Sequence, residues 1–170
     1  HRLWRVTNAA WIAQLTALMA DRKLLIADGH HRYETALRMG QPRTLMTFVA
    51  LESPGLRSFA THRVVHNLEH FDASTFLAKL PNVGPGIDPL VSPEGAVRFG
   101  VVTAAGEHHT DVPAAAGALN VAVLAEKILA PVLGITPEVV AAGTHLVYKR
   151  SRGEAIEEVR SGRGQIAFLL

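Results

Sequence analysis

The first third of the chain combines strand-like and helical hydrophobic patterns. Apolar positions at helical spacing follow Asn8, which predicts a helix with Asn8 as its N-cap. The apolar runs 24–27 and 44–51 are typical of buried strands, and residues 33–37 between them have helical spacing that ends at Gly40 as a C-cap. Such an order predicts a βαβ unit with parallel strands. The residues expected to face the core from the first helix are Trp11, Ile12, Leu15, Leu18 and Met19.

The remainder of the chain predicts a second set of strands and helices. In order, the elements are a strand at 59–65, a helix at 74–80, a hairpin with strands at 97–102 and 110–112, a helix at 119–133 that Pro131 bends or ends early, a strand at 145–148, a helix at 153–160 and a strand at 165–170. The fold class is therefore α/β (α+β), a mixed sheet with flanking helices. A loop rich in proline and glycine at 81–93 separates a first domain, 1–80, from a C-terminal α/β portion, 81–170.

The turn Asp28-Gly29-His30-His31-Arg32 concentrates groups that suit a catalytic or binding site. It lies where the predicted strand gives way to a helix, and the first N–H groups of a helix lack internal partners and attract anions. Gly29 allows close approach to the backbone, while the two histidines and the arginine add hydrogen-bond donors. Asp28 supplies a carboxylate that serves as a base or as a ligand for Mg²⁺. The pattern predicts a phosphate site.

Two other interpretations stay open, one for Asp28 and one for three later histidines. Asp28 is a good N-cap residue, and Arg32 lies four positions later, at the spacing of a surface ion pair. His62, His66 and His70 recur every four residues, as metal ligands on one helix face do, but the β-branched residues among them favour extended structure.

Composition limits the classes of protein that fit. Of 170 residues, 48% are hydrophobic and 19% charged, which excludes a disordered polyelectrolyte, and no apolar run has the length of a membrane span. A net charge of +2 does not by itself indicate a nucleic-acid partner. The absence of cysteine excludes disulfides and thiolate chemistry and favours a cytoplasmic protein. Because the chain begins at His1 and stops within a strand-like run, we expect a fragment of a longer protein.

With these motifs in view, the chain resembles the family catalogued as domain of unknown function 1015. The segments that carry the resemblance are Ile26 to Ala36 with the Asp-Gly-His-His-Arg turn, Gly55-Leu56, Thr61 to Val65, Leu119 to Val121, Leu133 to Ile135 and Ala167 to Leu170. The chain departs from the family pattern at Ala60, where a proline is usual, at Asn120, where an aspartate is usual, and at Arg150-Ser151, near which a His-Asp pair is common.

The turn also resembles the motif of the ParB/sulfiredoxin-like superfamily, which includes partition proteins, ATP-using sulfiredoxins and a serine kinase. The resemblance implies a ParB/sulfiredoxin-like core in residues 1–80 and nucleotide phosphate held at a helix start. With the residue chemistry it predicts a phosphotransferase acting on a small hydroxylated metabolite, with ATP or another nucleotide and Mg²⁺. The predicted catalytic residues are Asp28 and His30, the predicted phosphate ligands are Gly29, His30, His31, Arg32, His62 and Arg63, and the predicted Mg²⁺ ligand is Asp28.

Two other functions remain as alternatives. A ParB-like regulator would use nucleotide to switch a protein or DNA partner, but no helix-turn-helix pattern or basic stripe is evident. A metal-dependent hydrolase would use Asp28, His30 and His31, but adjacent histidines on a helix point in different directions. The expected partners are a nucleotide and a small substrate, without a membrane.

Overall fold

The computed structural model describes residues 2–56, 60–88 and 90–170 and contains two compact units, His1–Leu56 and Arg57–Leu170. The first unit has two helices, α1 (Ala9–Met19) and α2 (His30–Arg38). The Asn8 side chain accepts hydrogen bonds from the N–H groups of Ala10 and Trp11, at 3.0 and 3.1 Å, so the predicted N-cap is confirmed.

The end of α2 also follows its sequence pattern. Gly40 has a φ of +62°, a conformation that glycine adopts without strain. Its N–H donates to the carbonyl of Leu37, and the N–H of Gln41 donates to that of Ala36. These bonds satisfy carbonyls that the helix end leaves without partners. The predicted C-cap role of Gly40 is confirmed.

The predicted βαβ unit is wrong. Neither 24–27 nor 44–51 forms a strand, and no strand occurs within residues 2–56. An apolar run provides side chains for a buried strand, but a strand also needs a neighbour to pair its backbone groups. The two runs have the composition of strands but lack hydrogen bonds to a neighbouring strand. Asp28 therefore does not stand at the end of a parallel strand.

The prediction that one side of α1 is buried in a core is also wrong. Trp11 is 69% exposed and Leu15 61% exposed, and no described residue of the first unit falls in the buried class. Helical periodicity identifies an apolar side of a helix, but it does not identify what covers that side.

The second unit is built on a six-stranded sheet in the order β2-β4-β3-β6-β1-β5. The strands are β1 (His62–Val65), β2 (Val83–Pro85), β3 (Ala96–Thr103), β4 (Gly106–Pro113), β5 (Leu146–Lys149) and β6 (Ile166–Leu169). Its neighbouring strands all pair antiparallel. The α/β class with flanking helices is confirmed, and the strand direction differs from the mixed sheet expected.

Both faces of the sheet are covered. The helices of the second unit are α3 (Ala73–Ala78), α4 (Asn120–Leu124), α5 (Ala130–Leu133), α6 (Pro137–Ala142) and α7 (Arg152–Arg160). On one face Val65 and Phe168 pack with Phe76 of α3 and Leu124 of α4. On the other face Val64 packs with the α7 residues Ala155 and Val159. Alternating strand residues therefore enter two different cores.

The long predicted helix at 119–133 is interrupted as its proline requires. A π-helical segment, Ala125–Leu129, separates α4 from α5, and Pro131 stands in the first turn of α5. Since proline has no N–H to donate and its ring clashes with the preceding turn, the wider π turn accommodates it. Gly134 ends the helix with a φ of +68°.

Residues 60–80 pack with the second unit. Strand β1 lies between β6 and β5, and Phe76 of α3 is 4% exposed in the core of this unit. The division between the two compact units falls after Leu56 in the sequence. None of the described helices combines the length and the apolar character that a membrane crossing needs.

Candidate functional site

Helix α2 begins at a glycine in the left-handed conformation. Gly29 has a φ of +80°, and its carbonyl accepts the first helical bond, from the N–H of Tyr33 at 3.0 Å. The Asp28 side chain accepts from the N–H of Gly29 at 2.7 Å and thus stabilises the turn before the helix. No side chain caps the first turn of α2. Its N–H groups are therefore available to a negatively charged group.

The guanidinium of Arg32 lies directly against Gly29. A Cβ at position 29 would stand 2.8 Å from Nη2 of Arg32 and 3.1 Å from Nε, so the arginine side chain would have to shift. Arg32 Nη2 also lies 3.6 Å from Oδ2 of Asp28. The backbone conformation favours glycine here, and a larger residue would also push aside the exposed Arg32 guanidinium.

The two histidines of the turn are neighbours on the helix surface. The ring centroids of His30 and His31 are 4.2 Å apart, and His31 Nδ1 is 3.8 Å from Oε2 of Glu34. The His31, Arg32 and Asp28 side chains are 85%, 81% and 94% exposed. The first unit thus brings Asp28, Gly29, His30, His31 and Arg32 into one exposed cluster around a helix start.

Two cavities of the described residues lie elsewhere. One, of about 400 Å³, is lined by Leu15, Met19 and Phe48 among others in the first unit. The other, of about 320 Å³, is lined in the second unit by residues that include Phe71, Asp72, Lys79 and Leu133. The Asp-Gly-His-His-Arg cluster is therefore a surface arrangement rather than an enclosed pocket.

His62 and Arg63 point to opposite faces of the sheet in the second unit. His62 shares the face of Val64, which packs toward α7, and Arg63 shares the face of Val65. Arg63 donates to the carbonyl of Thr61, and its Cζ stands 5.3 Å from the centroid of the Tyr148 ring. Burial lowers the pKa of Arg63. Two adjacent strand residues of this kind cannot both contact one small ligand on a single face.

The buried imidazole of His62 is held in one tautomer. His62 is only 5% exposed, and its Nδ1 accepts a hydrogen bond from the N–H of Leu170 at 3.1 Å. An accepting Nδ1 carries no proton, so the ring hydrogen of the neutral imidazole is on Nε2. Burial, and then the positive charges of Arg152 and Arg63, lower the pKa of His62. His62 is a neutral N–H donor at neutral pH.

The low pKa of His62 predicts a specific loss of stability in acid. Unfolded histidine takes up a proton near pH 6.5, whereas folded His62 resists protonation. The contribution of neutral His62 to the free energy of unfolding is therefore complete above about pH 6.5, and it is lost as pH falls through the native pKa. His62→Asn keeps an acceptor for Leu170 but does not titrate. We expect the difference in free energy of unfolding between wild type and variant to shrink from about pH 7.5 to about pH 5, measured by urea unfolding. An equal difference at both pH values would contradict this.

Sequence reasoning missed a charged cluster near His62. Arg152 donates from Nη1 to Oδ1 of Asp88 at 2.7 Å and from Nη2 to the carbonyl of Ile87 at 3.2 Å. The sequence does contain a signal for the position of Arg152, namely Ser151-Arg152-Gly153-Glu154. Serine followed three residues later by glutamate marks a helix start.

A second group on α7 was also missed. Glu158 accepts from Arg163 at 2.9 Å and from Lys149 at 2.8 Å, and these two bonds lower its pKa to about 2. The Glu158 carboxylate thus neutralises Lys149, which stands opposite His62 in the sheet.

The described residues contain no group of three His, Asp or Glu side chains placed to hold a metal ion. His62 lies in β1, while His66 and His70 follow that strand, so the three histidines do not share a helix face. A single exposed carboxylate such as Asp28 nevertheless suits Mg²⁺, which binds through one or two carboxylates and keeps its waters and phosphate ligands. The Mg²⁺ role of Asp28 stays a prediction.

Fold and site together define an α/β protein in which a helix starts at an exposed Asp-Gly-His-His-Arg turn and a second unit carries an antiparallel sheet. The model of the family described as Protein of unknown function (DUF1015) matches residues 1–127, and the chain belongs to this family. No curated protein and no solved structure matches the chain.

Proposed function

We propose that this protein binds nucleotide phosphate at the start of α2 and transfers a phosphoryl group to a small hydroxylated metabolite. One observation carries the proposal: the first turn of α2 has no side-chain cap, and Arg32 lies against Gly29 at the same end of the helix. Free N–H groups, a positive helix end and a guanidinium favour a phosphate at one place. A relationship to the ParB/sulfiredoxin-like superfamily belongs to the same proposal.

Each residue of the turn has a separate role in this proposal. The N–H groups after Gly29 bind phosphate oxygens, while His30, His31 and Arg32 neutralise the charge that phosphoryl transfer concentrates there. Asp28 accepts the proton of the substrate hydroxyl or holds Mg²⁺. ATP or another nucleotide with Mg²⁺ supplies the phosphoryl group when bound. His62 and Arg63 belong to the second unit, and their role as phosphate ligands stays a prediction.

Calorimetric titration with ATP and Mg²⁺ tests the binding step. We expect Arg32→Ala to weaken nucleotide binding by about tenfold or more, because a charge-assisted contact to phosphate is worth roughly 1.5–3 kcal/mol. Arg38→Ala is the matched control, since Arg38 is an exposed arginine in the last turn of the same helix. This variant removes the same charge at the opposite, negative end of the helix dipole. We expect it to change nucleotide affinity by less than about threefold.

Three outcomes would count against the proposal. No affinity of the wild-type chain for ATP, ADP or another nucleotide with Mg²⁺ would overturn it. Equal losses in Arg32→Ala and Arg38→Ala would show general attraction by charge rather than a site. Binding without phosphoryl transfer to any hydroxylated compound, followed by ³¹P NMR, would remove the enzymatic part.

A further inference from the structure

A cavity of about 320 Å³ runs along one side of α3 in the second unit. Its lining includes Asp72, Thr75, Phe76 and Lys79, which recur at the spacing of successive helical turns and so form one stripe. Asp72 is the N-cap of α3, and Lys79 is its C-cap. With a rise of about 1.5 Å per residue, the two ends of this stripe are roughly 10 Å apart. The cavity thus has a carboxylate at one end and an ammonium group at the other.

The segment that leads from β1 into α3 forms a wall of the cavity and is held in place by long-range hydrogen bonds. The Gln165 side chain binds both backbone groups of Leu68, accepting from its N–H at 2.7 Å and donating to its carbonyl at 2.9 Å. The side-chain amide of Asn67 donates to the carbonyl of Thr144 at 3.0 Å. Leu68 lines the cavity together with the residues that follow it. Because this wall is fixed before a ligand arrives, ordering it costs little on binding.

The inner part of the cavity is apolar. Phe76 is 4% exposed, and its ring centroid is 5.7 Å from that of Phe71. Val132 and Leu133, which are half-buried in α5, complete the apolar lining. The volume falls near the lower end of the roughly 300–1,000 Å³ that ligand sites span. The cavity therefore suits a small molecule with a hydrocarbon part.

The charged groups at the rim of the cavity are available to a ligand. Glu69 and Lys79 line the cavity and form no ion pair with a residue that the structure describes. Hydrogen bonding to Thr75, whose N–H lies 2.7 Å from Oδ1 of Asp72, lowers the pKa of Asp72 and keeps it ionised. Between the two acids, His70 lines the cavity with a φ of +49°, which is unfavourable for a residue other than glycine. The acids favour a cationic group, and Lys79 favours an anionic one.

We propose that this cavity binds a small zwitterion whose ammonium and carboxylate groups are separated by a hydrocarbon chain. The ammonium group contacts Glu69 and Asp72 at the start of α3, and the carboxylate contacts Lys79 at its end. The chain between them lies against Phe71 and Phe76. An α-amino acid does not match this arrangement, because both of its charged groups are attached to one carbon. The inference is independent of the proposed phosphate site, since every residue of the cavity belongs to the second unit.

NMR titration of the ¹⁵N-labelled chain with ε-aminocaproate tests the inference. We expect saturable shifts at the amides of residues 69–79 and 132–133, which line the cavity. Three related compounds identify what is recognised: caproate lacks the ammonium group, hexylamine lacks the carboxylate, and norleucine has both groups on its α-carbon. Each is expected to bind at least about tenfold more weakly than ε-aminocaproate, because each loses a charge-assisted contact at one end of the cavity.

Two pairs of variants separate a site from an effect of net charge. Lys79→Gln and Glu69→Gln are each expected to weaken binding of ε-aminocaproate by about tenfold. Lys127→Gln and Glu126→Gln are the matched controls, because both residues are exposed in the π-helical segment and neither lines the cavity. These two are expected to leave binding unchanged. Glu69→Gln is also expected to reduce the preference for ε-aminocaproate over caproate, since it removes a partner of the ammonium group alone.

The inference is overturned if the amides that line the cavity show no saturable shift with ε-aminocaproate. It is also overturned if caproate, hexylamine or norleucine binds as tightly. Equal losses in Lys79→Gln and Lys127→Gln would refute it, since net charge alone would explain them. Affinity for ε-aminocaproate that is unchanged in Arg32→Ala supports a separate site in the second unit, whereas a loss in that variant would contradict this placement.

Discussion

Phe168→Ala is expected to destabilise the second unit by about 3–5 kcal/mol, the usual range for truncating a buried phenylalanine. Phe168 is fully buried in β6, between Arg63 of β1 and Val101 of β3 in the register of the sheet. Its ring meets Phe76 of α3 edge to face, with centroids 6.2 Å apart. The substitution opens a cavity beneath the helices and removes an aromatic contact between layers.

Phe48→Ala is the control for this experiment, because Phe48 is 59% exposed in the first unit. The same truncation there is expected to cost less than about 1 kcal/mol. Urea unfolding followed by circular dichroism is the suitable measurement. Tryptophan fluorescence is not, because Trp4 and Trp11 both belong to the first unit. Similar losses for the two variants would contradict the assignment of the core.

Helices were predicted well because the signals that begin and end them are local. Asn8 and its two N–H donors are within one turn, and the bonds around Gly40 close within the last turn of α2. The hairpin of β3 and β4 around Gly106 was found for the same reason, since its partners are consecutive in sequence. The residues that define such elements are close together in the sequence and can therefore be identified from it.

Strands without a consecutive partner were harder to predict. Residues 24–27 and 44–51 have the apolar composition of strands but no ladder within residues 2–56. By contrast, the strand in the middle of the sheet, β6, obtains both of its partners from β1 and β3, far away in the sequence. Hydrophobicity shows that a segment prefers burial, while the identity of its neighbour depends on the whole fold.

The site was predicted in part for similar reasons. A glycine before a helix is a local signal, so the exposed cluster at Gly29 was found. His62 and Arg63 were grouped as ligands of one phosphate although strand alternation places them on opposite faces. The bond from Leu170 to His62, and the approach of Arg152, join residues that only the folded sheet brings together.

Gly29→Ala is expected to weaken nucleotide binding at α2. An alanine would keep an unfavourable φ of +80° and would displace the Arg32 guanidinium, whose Nη2 is 2.8 Å from the added Cβ. Gly40→Ala is the matched control at the other end of the helix. Its φ is +62°, and its Cβ would meet nothing within 4 Å. Both substitutions are expected to cost about 1–2 kcal/mol of backbone strain in the same unit.

The comparison separates strain from a lost site. If Arg32 and the free N–H groups bind phosphate, Gly29→Ala weakens ATP affinity by about tenfold or more, while Gly40→Ala changes it by less than about threefold. Calorimetry measures both affinities, and hydrogen exchange of the α2 amides shows whether the helix persists in each variant. Equal affinities with an intact helix would mean that Arg32 lies against Gly29 only to stabilise the turn with Asp28. In that case the anion site at the start of α2 would have to be abandoned.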